Sequence, residues 1–145
     1  MIHFFNQDCN YLPVNRLVLR RWITETIRRE GYRAGEINYI FCSSKYHRQM
    51  NRDFLGHDYY TDVITFEDRA SRVEEGVVAG EVYIDVATVE DNAEIYHALP
   101  VNEMRRVIIH GALHLCGHLD KSPTAAKNMR RLENRYLKLL REEML

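Results

Sequence analysis

Cysteine is scarce and unpaired in this chain: Cys9, Cys42 and Cys116 are three among 145 residues, with no CxxC spacing. An odd, scattered set disfavours a disulfide framework or a thiolate zinc knuckle and points to a reducing compartment. Three prolines and seven glycines are too few for a fibrous or linker-rich chain, and there is no internal repeat or low-complexity tract. No apolar run approaches the roughly 20 residues that span a bilayer, and the opening MIHFFNQD lacks the basic and apolar segments of a signal peptide. The expectation is a cytoplasmic protein without a membrane partner. An excess of one charge is also missing, the formal net charge being −1. Its distribution is uneven, at +4 over residues 1–50, −9 over residues 51–100 and +4 over residues 101–145. That segregation permits a local basic face on a globally neutral molecule, although solvated helix faces would carry the same charges.

What remains is an ordinary globular composition, 46% hydrophobic and 28% charged, at a length that suits one domain over residues 1–145. Ile2 to Phe5 reads as a strand. After Pro13 a helix carries Val18, Leu19, Trp22, Ile23 and Ile27 on one arc and stops at Gly31. Glu36 to Cys42 reads as a second strand, and Ser43-Ser44 caps a helix that runs to about Phe54. Asp62 to Phe66 and Val77 to Asp85 are strand-like and joined by a turn-rich stretch, as in a hairpin. Helical patterns then follow from Val86 to about His97, Val101 to about Cys116, and Thr124 to about Met144. The last places Ala125, Met129, Leu132, Tyr136 and Leu139 on one stripe. The fold class expected is α/β (α+β): a small mixed sheet of about four strands covered by about five helices.

Three of the seven histidines fall within nine positions, in IHGALHLCGHLDK from Ile109 to Lys121. His110 and His114 are four apart on a helix, so their rings lie about 40° apart around its axis and about 6 Å along it, able to face one ion. Gly117 can end that helix in a left-handed conformation and turn the chain back. Asp120 then falls where the zincin pattern HxxxHxxGxxH has its last ligand, and a carboxylate oxygen is an acceptable zinc donor. His118 is the alternative third ligand, reaching the ion only if the helix ends at Gly117. The surrounding helix is apolar, and one shared cation would satisfy both imidazoles. Cys116 faces away from His114 and reads as a buried small residue. Peptide hydrolysis lacks its base, because Gly111 stands where the zinc peptidases have Glu. A three-ligand zinc with an open position still suits phosphodiester hydrolysis.

The block His110-Gly111-Ala112-Leu113-His114-Leu115-Cys116-Gly117 resembles the signature of the YbeY family of bacterial endoribonucleases, the rRNA maturation factors. The stretch from Met50 to Phe66 is similar to the family's second block, and Gly80-Glu81-Val82-Tyr83-Ile84 to its third. The resemblance implies one zinc ion on His110, His114 and Asp120, and cleavage of single-stranded precursor RNA of the 16S type during ribosome biogenesis. It also implies the ribosome or small-subunit proteins as partners. Asp62, in the TDV segment, is expected to orient a ligand histidine, and reads equally as a strand-initiating residue that caps a turn. Three positions depart from the family pattern: Asp120 replaces a histidine, Tyr60 a proline, and Leu55 an arginine expected near the scissile phosphate. Arg48 and Arg52 are the cations left to contact RNA there, and both read equally as solvated residues of a surface helix. The loss at Leu55 leaves an alternative from another class, a metal-stabilised ribosome-assembly protein that binds RNA and cuts it little or not at all.

Overall fold

The computed structural model describes residues 1–56, 61–68 and 76–145. Tyr60 and most of the turn-rich stretch after Phe66 lie outside them. The strands are β1 (Ile2–Gln7), β2 (Arg33–Cys42), β3 (Val63–Glu67) and β4 (Val77–Asp85), and the helices α1 (Arg16–Arg29), α2 (Ser44–Leu55), α3 (Val86–Ile95), α4 (Pro100–Leu115) and α5 (Pro123–Leu139), the last running into a π-helical turn over Leu140–Met144. The sheet order is β1-β2-β4-β3. β2 pairs in parallel with both β1 and β4, and β3 lies antiparallel on β4 in a register that sets Val63 opposite Ile84 and Glu67 opposite Gly80. This is the mixed four-stranded sheet with five helices that the hydrophobic patterns imply.

Two elements outrun their expected bounds for the same reason. β1 continues through Asn6 and Gln7, and β2 begins at Arg33. Polar residues there are held by backbone pairing, Gln7 with Cys42 and Arg33 with Val77, across a register shift between Ala34 and Ile37. Main-chain hydrogen bonds do not read side-chain polarity, so alternation gives no sign of them.

α4 is the central helix, in contact with α1, α3, α5, β3 and β4. Ile108, Ile109, Ala112 and Leu113 are wholly buried in it. Gly111 permits that closeness. A Cβ at this position would meet Val82 Cγ1 on β4 at 2.7 Å, inside any real carbon contact, so the residue that denies the chain a peptidase glutamate also lets the helix settle on the sheet. Two buried polar groups fix the layers: Tyr39 OH donates to Ile108 O at 2.8 Å, and Trp22 Nε1 donates to Tyr136 O at 2.7 Å. At the far end of β4, buried Asp85 caps α3 by accepting from Thr88 N and also accepts from Ser44 Oγ at the start of α2.

Candidate metal centre and adjoining cavity

α4 ends as its glycine requires. Gly117 has φ 99°, Gly117 N donates to His114 O at 2.9 Å and His118 N to Leu113 O at 3.1 Å, the paired bonds of a Schellman turn. The chain then doubles back, and Ser122 caps α5 by accepting from Ala125 N.

This reversal brings Asp120 over the last two turns of α4. Its Oδ2 lies 3.3 Å from His110 Nε2 and 3.3 Å from His114 Nε2. The two rings have centroids 4.5 Å apart and stand at 78° to each other. The three donor atoms all fall within 4.8 Å of one another, a grouping that could hold a metal ion. Donors each about 2.1 Å from a tetrahedral ion sit about 3.4 Å apart, so the spacing and the mixed nitrogen and oxygen donors fit a small divalent cation.

His110 Nδ1 donates to Glu133 Oε2 at 2.6 Å, and Glu133 Oε1 accepts from Arg106 at 3.0 Å. With Nδ1 carrying the proton, Nε2 presents its lone pair towards Asp120. Burial would lower the pKa of His110, but the hydrogen bond and charge of Glu133, then Asp120, outweigh it and raise the value. His114 moves the other way, through burial first and then the neighbouring His110. Glu133 stays below the usual carboxylate range: burial opposes this, and its bonds to His110 and Arg106 prevail.

The other expected residues are placed as follows. His118 points to α1, its Nε2 2.6 Å from Glu30 Oε1, whose second oxygen accepts from Tyr136 OH. Asp62 lines a cavity of about 210 Å³ together with His110 and Asp120; it acts on His110 through charge, while the hydrogen bond to that ring comes from Glu133. Arg48 and Arg52 line a separate depression on α2 with Lys45 and Gln49, and not that cavity. Leu55 is exposed at the end of α2. Cys116 is buried, its thiol pushed up to about 12 by burial.

The model of the endoribonuclease YbeY family matches residues 5–141. The chain belongs to this family. Among its relatives are endoribonuclease YbeY proteins from Cytophaga hutchinsonii, 44% identical over 95% of this chain and 94% of that one, and from Phocaeicola vulgatus, 44% identical over 97% and 99%. The solution structure of TM1509 from Thermotoga maritima superposes with a TM-score of 0.64 at 26% identity, covering 95% of this chain and 87% of that one.

Five residues in this YbeY chain escaped the sequence reading: Glu133, Arg106, Glu103, Arg130 and Tyr96. All five line the cavity beside His110. Glu103 opens α4 seven residues before His110, on the same face of the helix. It is buried, and burial raises its pKa against the influence of Arg106 and Arg130. A glutamate in a first helical turn ordinarily reads as an answer to the helix dipole, so nothing local singles it out.

Proposed function

We propose that this protein is a zinc-dependent endoribonuclease that prefers single-stranded RNA and acts on ribosomal RNA precursors in the cytoplasm, as one domain over residues 1–145. Family membership supports RNA cleavage. The observation that carries the metal is the shared 3.3 Å approach of His110 Nε2 and His114 Nε2 to one oxygen of Asp120. These three residues would hold the ion, with His118 committed to Glu30. Zinc bound there supplies Lewis-acid activation of a phosphoryl oxygen and of the attacking water or hydroxyl. Glu133 keeps the Nδ1 proton on His110, and Arg106 keeps Glu133 in place. Asp62 adds negative charge facing His110.

Purified protein incubated with single-stranded RNA should cut it, lose the activity in chelator and regain it with zinc. His114→Ala and Asp120→Ala should lose most of the bound zinc by elemental analysis, and His118→Ala little. Cleavage that survives removal of the metal would overturn the assignment. Exposed Leu55, neutral where the family pattern has arginine, favours a second reading as a metal-stabilised RNA-binding factor of ribosome assembly. Tight binding of RNA or the small subunit with no cleavage in zinc would establish it.

A further inference from the structure

The cavity beside the His110–His114–Asp120 triad has a composition that metal binding does not use. Glu103 sits in its wall at 8% exposure, and its carboxyl makes no hydrogen bond to another described residue. Its oxygens open onto the cavity, so an N–H donor entering there would meet an acceptor that no described protein group occupies. Arg130 and Tyr96, both exposed, stand at the margin. Arg106 is held by Glu133, whereas Arg130 makes no ion pair or hydrogen bond among the described residues and acts on Glu103 only through charge.

Size and reach narrow what fits. At about 210 Å³ the cavity is smaller than the roughly 300 Å³ at which pockets for drug-sized ligands begin, a size that suits a single base. Glu103 and His110 are seven residues apart on α4, roughly 10 Å along its axis. That is too far for Glu103 to pass a proton to a phosphate at the triad, and it matches the reach from a phosphate to the outer edge of its own base. A carboxylate at that edge accepts from N–H donors, and guanine offers two side by side, in its N1–H and N2 amino group. An unpaired base can enter such a cavity, whereas a base in a duplex cannot without leaving its stack.

We propose that this cavity is a single-nucleotide subsite for an unpaired guanine, with Glu103 accepting from the base edge, Tyr96 offering a stacking face and Arg130 contacting the neighbouring phosphate. The inference rests on the nuclease reading for its orientation towards the triad, and the test separates the two. Fluorescence anisotropy on the full chain in chelator would compare a labelled oligouridine carrying one internal guanosine with the all-uridine strand, and cleavage sites would be mapped separately in zinc. Wild type should bind the guanosine strand about tenfold tighter, one good bidentate base contact. The near-isosteric Glu103→Gln should erase that preference at unchanged zinc content. Arg130→Ala should weaken both strands alike and reduce the slope of log affinity against log salt by about 0.7, one phosphate on a single strand. Equal affinity of wild type for the two strands, or a guanosine preference that persists in Glu103→Gln, would overturn the subsite. Preference in chelator with no cleavage in zinc would keep the subsite and remove the nuclease; cleavage with no base preference would do the reverse.

Discussion

The chain His110–Glu133–Arg106 shows how one side chain is set by two others. His110 faces Asp120 with Nε2 because Nδ1 is occupied by Glu133, and Glu133 is buried as an anion because Arg106 and His110 both bond it. Carboxylates that orient a ligand histidine in this way are typically worth 10- to 100-fold in metal affinity. Glu133→Ala should therefore bind zinc about tenfold or more weakly in competition with a fluorescent chelator. Glu133→Gln, whose amide oxygen can still accept from Nδ1, should recover part of the loss, and equal affinities in wild type and Glu133→Ala would show that the hydrogen bond does not tune the site. The pair His110 and His114 was legible because four residues on a helix define one face. Glu133 was not, because it lies 23 residues away on another helix, and the apolar stripe that identified that helix says nothing about a polar residue beside it.

For α4 the deciding contact is with the sheet. Gly111 sits against Val82 so closely that a methyl group must displace it, and overpacking of that kind costs about 1–3 kcal/mol. Gly111→Ala should lower the midpoint of urea denaturation accordingly, and Val82→Ala introduced beside it should restore part of the difference, since it removes the colliding methyl groups. Additivity of the two substitutions would mean that the strain is taken up elsewhere. Element identity along the chain was readable from periodicity and from residues such as Ser43 and Ser122, which cap α2 and α5 as Ser readily does. Strand order was not. β2 and β4 are neighbours although α2 and β3 separate them in sequence, and parallel pairing of that kind leaves no local signature.

Across the whole molecule, Glu30 joins three distant segments, accepting from His118 after α4 and from Tyr136 on α5 at the end of α1. Its pKa is lowered: burial opposes the shift, and the bonds to Tyr136 and His118 overcome it. A carboxylate depressed in the folded state stabilises above its unfolded value, about 4.3 for Glu, and the contribution disappears as pH falls through the folded value. Glu30→Gln should cost about 1–3 kcal/mol at neutral pH, the range for leaving buried partners poorly satisfied. The gap from wild type in urea unfolding should narrow below about pH 4; a gap constant with pH would show that the charge of Glu30 is not what holds these segments. The segregation of charge along the sequence did not reveal such links, because it averages over residues that folding sends to different places. Glu133 and Tyr136 both belong to α5, so a nascent chain acquires the groups that aim His110 and anchor the turn carrying Asp120 only after all three of the residues they support have been made. A polypeptide released before that helix is made would have both histidines and the aspartate, without the carboxylate that orients His110 or the phenol that braces Glu30 beneath the turn.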